Sequence, residues 1–131
     1  MLRHIPTLAG ALLGLGFVAA GLVMLLGLAP AGETPPEGSP SAHFFAAFGP
    51  TGYLTFVKVL EVLGGVLVAI PRTRCLGLLV LGPILVNILA FHVFVAGDGV
   101  KDPMLLTLSG LALFLLLVER KAFAGLVRAQ R

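Results

Sequence analysis

The sequence predicts an all-α integral membrane protein, an up-down four-helix bundle, and three observations carry that prediction. Hydrophobic residues make up 58% of the 131 and charged residues only 11%, and the mean hydropathy of +1.07 is far above that of a soluble domain. Four stretches approach or exceed the roughly 20 apolar residues that cross a 30 Å hydrocarbon core: Leu8 to Leu28, Tyr53 to Ile70, Cys75 to Ala96, and Met104 to Val118 with its flanks. Basic residues alternate between connections, with Arg3, Arg72, Arg74, Arg120, Lys121, Arg128 and Arg131 on one side. These are seven of the nine, and enrichment of Lys and Arg in cytoplasmic flanks reads that side as inside. Both termini are therefore expected in the cytoplasm, and the chain in the inner cell membrane as a multi-pass protein.

A single transmembrane domain is expected over residues 1–131, with helices over about 5–29, 51–70, 73–96 and 102–120. The first has the Arg3 flank and the Ala29-Pro-Ala31 ending of a signal peptide. Its apolar run exceeds the 7 to 15 residues of a signal core, so it is expected to remain as a spanning helix. An outer loop follows over 30–50, where Pro30, Pro35, Pro36, Pro40 and Pro50 remove donors and fix φ. Within it, residues 41–48 read either as a short interfacial helix capped by Ser41 or as a loop whose phenylalanines plug the bundle mouth. Pro71-Arg-Thr-Arg74 is short enough to make the second and third helices antiparallel neighbours. Asp102-Pro103 fits the start of the fourth, and the basic tail over 121–131 is expected to run on as a helix along the cytoplasmic surface. Small residues mark the close approaches: Gly10, Gly14, Val18 and Gly21 on one stripe, then Gly64, Gly65, Gly77, Gly82 and Gly110.

Several function classes fall away. A net charge of +3 distributed by topology is no nucleic-acid footprint. Cys75 is the only cysteine, so Cys-x-x-Cys thiol chemistry lacks its resolving sulfur. His4, His43 and His92 show no spacing suited to haem or a metal pair, and there is no phosphate-binding glycine loop or nucleophile elbow.

Chemistry concentrates in the second and third segments. Lys58 and Glu61 are ionisable residues inside an apolar span, where each charge costs about 2.5–3.5 kcal/mol on insertion scales. Three residues apart, they lie about 60° apart on one helix face. Glu61 lies roughly 12 Å and Lys58 roughly 7 Å along the helix from Tyr53, and both lean toward the outer end. The third segment adds Asn87 and His92, about 140° apart, so a straight helix cannot aim both at one point unless Pro83 reorients it. Two readings of Lys58, Glu61, Asn87 and His92 stay open. In one they are architecture, an ion pair with interhelical bonding. In the other they line an outward cavity for a polar head group such as a quinone, or a proton relay, with Glu61 and His92 as candidate catalytic groups.

The run Lys58-Val-Leu-Glu-Val-Leu-Gly-Gly-Val-Leu-Val-Ala-Ile-Pro-Arg-Thr-Arg74 resembles the central signature of the DoxX and DoxX-like family of four-helix membrane proteins, and Leu81 to His92 resembles the Asn-and-His third helix of the DoxX-like branch. The similarity covers about residues 44–96. The Ser-Gly-x-x-Lys motif that many members carry at the end of the first helix has no counterpart, since residues 21–30 contain no lysine. The resemblance implies a small membrane subunit of a quinone-linked oxidoreductase or redox complex, with quinone as ligand. Two alternatives stand beside it: a non-catalytic accessory subunit packed against a larger respiratory or photosynthetic complex or against its own copies, and a small-molecule or lipid binder or transporter. In every case the lipid bilayer is a partner and nucleic acid is not.

Overall fold

A computed structural model describes residues 2–129; Met1, Gln130 and Arg131, the last of these a member of the expected basic tail, lie outside the described residues. Those described are all-helical, without a strand. Six α-helices follow in order: α1 Ile5–Leu25, α2 Pro40–Phe48, α3 Tyr53–Ala69, α4 Arg74–Ala90, α5 Pro103–Val118 and α6 Arg120–Arg128. A 3-10 turn precedes α1, another links α2 to α3, and α4 runs on as a π-helix over Phe91–Ala96. Two stretches, Leu2–Leu25 and Arg74–Ala96, are long and apolar enough to cross a membrane. The number rises to four if each of two bent pairs counts as one span: residues 40–69, bent by 83°, and 103–128, bent by 60°.

The helices are shorter than their apolar runs because glycine ends them. α1 stops at Leu25, not near 29: Gly27 takes φ +68°, its N–H donates to Met24 O and the Leu28 N–H donates to Val23 O. That is a Schellman closure, which glycine enters without strain. Gly52, at φ +75°, likewise breaks the expected 51–70 helix from the segment before it. The expected outer loop contains α2, capped by Ser39 rather than Ser41: Ser39 Oγ accepts from Ala42 N at 3.2 Å. Ser41 is instead buried, and its hydroxyl donates to Val95 O at 3.4 Å, tying α2 to the π segment. Asp102 caps α5 as expected, accepting from Met104 N at 3.0 Å.

Glycines set the packing. A Cβ on Gly14 would strike Gly65 O and Ala69, one on Gly10 would lie 2.8 Å from Val68 O, and one on Gly21 3.2 Å from Lys58 O. Rising positions on α1 thus face falling positions on α3, an antiparallel pair in backbone contact. α4 meets the other side of α3, where Gly77 abuts the Val68 backbone and Gly64 receives Leu81. Gly82 and Gly110, also expected at close approaches, serve no such contact: a Cβ added to either would have nothing within 4 Å. The core gathers Leu13 and Phe17 from α1, Val68 from α3, Leu78, Leu81 and Leu85 from α4, and Leu105, Leu108 and Leu115 from α5. Outside it, Leu15, Phe56, Leu76, Val86 and Leu113 are all more than half exposed, an apolar surface on every long helix, compatible with a lipid environment.

One end is closed by an ion pair. Arg74, 5% exposed, sends Nη1 to Glu119 Oε1 at 3.2 Å, joining the start of α4 to the end of α5. Expected among the solvated cytoplasmic cations, Arg74 is buried instead, its guanidinium against Gly10. The same contacts bring the start of α1, the α3–α4 turn and the end of α5 to one end, so Arg3, Arg72, Arg120 and Lys121 cluster there.

These contacts separate glycines that a side chain would destroy from glycines that are replaceable. Gly14→Val or Gly65→Val should lower stability by about 1–3 kcal/mol or more, since backbone atoms cannot move aside. Gly82→Ala and Gly110→Ala should stay within about 1 kcal/mol of the parent. Denaturant titration in mixed micelles, reading helicity, checks both.

Candidate functional site

α3 carries the ion pair and fixes its depth. Glu61 shares the buried face of that helix with Gly64, Gly65 and Val68 and is 2% exposed. Lys58, one turn earlier, places Nζ 3.0 Å from each carboxylate oxygen. Its side chain keeps 24% exposure against 3% for that of Glu61. The carboxylate is the fixed member, and the lysine, on a four-carbon stem, is the one that reaches toward water.

The pair stands between two cavities. The larger, about 500 Å³, lies between the first half of α3 and the last turn of α4 and under α2; Lys58, Glu61 and Asn87 supply its charged and amide groups. Apolar and aromatic side chains form the rest, among them Met24, Leu54, Val57, Ile88, Phe44 and Phe91. α2 is held over it by ring contacts: Phe44 lies 5.0 Å and Phe45 5.7 Å from Phe91, and Phe48 lies 5.1 Å from Tyr53. Such pairs contribute about 0.5–1.5 kcal/mol each beyond area burial. Residues 41–48 are therefore a helix whose phenylalanines cover the cavity, uniting the two readings of that segment.

The smaller cavity, about 150 Å³, lies on the other side of the pair, toward α1 and α5. Lys58 and Glu61 line it too, together with His92, Asp102, Phe17 and Leu105. Asn87 thus lines one cavity and His92 the other. α4 passes through Pro83 unbroken to Ala90, and the irregularity comes instead at the π segment that carries His92. His92 does not bond Glu61. Its Nδ1 lies 3.1 Å from Asp98 Oδ1 in the exposed turn after the π segment.

Asp98, Asp102 and the aromatic residues of α2 are additions that the charge pattern of the spans does not single out. Asp98 follows Gly97, whose φ of +70° turns the chain back past His92. A carboxylate just beyond a glycine-ended helix that carries a histidine is the only sequence trace of that pairing. Cys75 sits beside the other ion pair, Sγ 3.9 Å from Glu119 Oε2, and lines neither cavity. Among the described residues no group of three or more His, Cys, Asp or Glu is arranged to hold a metal ion.

Because the two partners differ in exposure, their removal should differ in effect. Lys58→Met strands a buried carboxylate and should destabilise by about 3–5 kcal/mol. Glu61→Gln leaves a lysine that reaches water, and should cost clearly less. The double variant should recover most of the Lys58→Met loss, because a neutral pair has no charge to strand. Stability in mixed micelles across the double-mutant cycle reads all three.

No family model matches the sequence, and no solved structure matches it. The chain is 31% identical over 134 residues to the uncharacterized protein YwoB of Bacillus subtilis (strain 168), a similarity that takes in 98% of this chain and 85% of that protein. With nearly the whole of both chains aligned at that identity, this protein belongs to the same family as YwoB.

Proposed function

We propose that the protein is a DoxX-like inner-membrane protein whose larger cavity binds a quinone, and that it serves as the membrane subunit of a quinone-linked redox complex. In this reading α1, α3, α4 with its π extension, and α5 are the four spans, and both termini are cytoplasmic. The basic end formed by Arg3, Arg72, Arg120 and Lys121 supports that orientation through the positive-inside rule. α2 then lies at the outer interface, and α6 runs along the inner one.

One observation carries the ligand class: a cavity of about 500 Å³, almost wholly apolar and aromatic, with an ion pair and an amide at its wall. A site of that size and lining suits a flat apolar ring bearing a few polar atoms. Lysine has three N–H donors and its carboxylate partner takes two, so one remains for a quinone carbonyl. The Asn87 amide offers a second donor. Glu61 accepts from a hydroxyl on the reduced ring, and Phe44 and Phe91 offer ring faces for stacking. A bound quinone supplies reversible two-electron, two-proton chemistry; the protein's part is to orient the head group and hold a carboxylate beside it.

The Lys58→Met/Glu61→Gln double variant tests this directly, because it removes both charges together. Calorimetric titration of a short-chain ubiquinone into detergent-purified protein should show binding to the parent. Affinity should fall by about tenfold or more, about 1.4 kcal/mol, in the folded double variant. Equal affinity would reject the assignment. Orientation is tested separately: in a Cys75→Ala background, an impermeant maleimide should label Gly32→Cys but not Arg128→Cys in intact cells, and the reverse pattern would invert the topology.

A further inference from the structure

The smaller cavity shares Lys58 and Glu61 with the larger one and extends away from it on the other side of the pair. Its lining has a distinct composition. From α1 it receives Phe17 and Ala20, neither of them ionisable; from α3, Lys58 and Glu61; from the π segment, His92; and from the start of α5, Asp102. Asp102 is exposed and His92 is half-buried, whereas Glu61 is almost wholly buried. The cavity therefore runs from a carboxylate cut off from solvent to polar groups at the surface, within the apolar interior of the helices. At about 30 Å³ of liquid per water, 150 Å³ holds a short file of water molecules between polar ends.

We propose that this smaller cavity is a proton passage connecting Glu61 to the aqueous phase at the α4–α5 turn, with His92 as its gate. The Asp98 contact at Nδ1 fixes the imidazole: Nδ1–H donates to the carboxylate, which leaves Nε2 as the nitrogen that exchanges protons. An inward transfer then has balanced steps. A hydronium ion at the mouth gives its proton to Nε2 and is left as water, while Nδ1–H keeps its contact with Asp98. Nε2 next releases that proton to water in the cavity, and a carboxylate oxygen of Glu61 receives it as its contact with Lys58 loosens. The outward transfer is the reverse. Asp98 is a positioning residue here, and Asp102, the exposed cap of α5, stands at the mouth beside Lys101. The inference extends the quinone reading, because a carboxylate beside a ring that gains and loses protons needs its own route to water; yet it concerns Glu61 and His92 whether or not that ligand is bound.

The test therefore uses ligand-free protein. After a rapid pH drop, time-resolved infrared spectroscopy follows the C=O stretch of protonated Glu61, identified by its absence in Glu61→Gln. His92→Phe, which blocks the passage without leaving a hole, should slow the appearance of that band by about tenfold or more, the scale expected of a removed proton-transfer group. His92→Ala should be slow and accelerate on addition of imidazole. Asp98→Asn should slow the band less than His92→Phe. Unchanged rates in His92→Phe and His92→Ala overturn the passage, as does a slow His92→Ala that imidazole does not accelerate. Ubiquinone titration of the same variants separates the two proposals: affinity kept in His92→Phe while the band slows supports a passage distinct from the ligand cavity. Loss of affinity from the parent protein itself would reject the quinone and leave the infrared test standing.

Discussion

Backbone contact between α1 and α3 is the constraint on which the rest depends. Gly10, Gly14 and Gly21 bring α1 against the carbonyls of Lys58 and Val68 and against Gly65, leaving no width for even a methyl group. Hydrophobic burial supplies little drive for association between helices that lipid can also cover, so close van der Waals fit has to provide it. On the other side of α3, Gly77 and Gly64 do the same for α4, but only as far as Gly64. Beyond that level α3 presents Lys58 and Glu61, α4 presents Asn87 and Ile88, and a cavity takes the place of contact. The site exists because the small-residue stripe of α3 ends before its span does.

Two ion pairs, one at an end of this scaffold and one midway along α3, have different consequences. Arg74–Glu119 joins elements distant in sequence and anchors the end that holds the α3–α4 turn and the α5–α6 bend. Its Nε and Nη2 have no hydrogen-bond partner among the described residues and lie close to the last turn of α3, whose carbonyl end attracts a cation. Lys58–Glu61 joins residues one turn apart on one helix, so it fastens nothing to anything else. An apolar pair would serve α3 at least as well, since replacing a buried ion pair by apolar groups is often neutral or stabilising. That contrast weighs toward a use for the second pair beyond architecture.

What is legible in the sequence follows from local periodicity. The shared face of Lys58 and Glu61, the divergence of Asn87 and His92 into different cavities, the glycine stripe of α1 and the Asp102 cap all depend on a few consecutive residues, and the structure has each of them. The features that differ depend on where the chain goes next. Apolar composition continues through Gly27 and Gly52 and so overextends the helix ends, while only backbone conformation reveals that those glycines turn left-handed. Ser39 displaces Ser41 as cap because Ser41 is drawn inward to the π segment. The burial of Arg74 and the Asp98 partner of His92 are products of tertiary placement, with no periodic signal. A proline is the usual place for a helix to be interrupted, yet α4 continues through Pro83; the irregularity comes at a π segment, a form frequent at functional sites.

The unequal exposure of Lys58 and Glu61 decides how such a site can respond to an occupant. Glu61 is fixed by packing, with both oxygens engaged by one ammonium group. A polar head entering the larger cavity meets the more mobile partner first, and Lys58 can turn a free donor toward it while keeping the carboxylate neutralised. Were Lys58 to swing fully to the newcomer, the carboxylate would stand unpaired in an apolar interior, a costly arrangement. Lys58 and Glu61 line both cavities, so under the proposed reading a change at this pair in one cavity is felt in the other, and the wall between them is the element that links the two proposals.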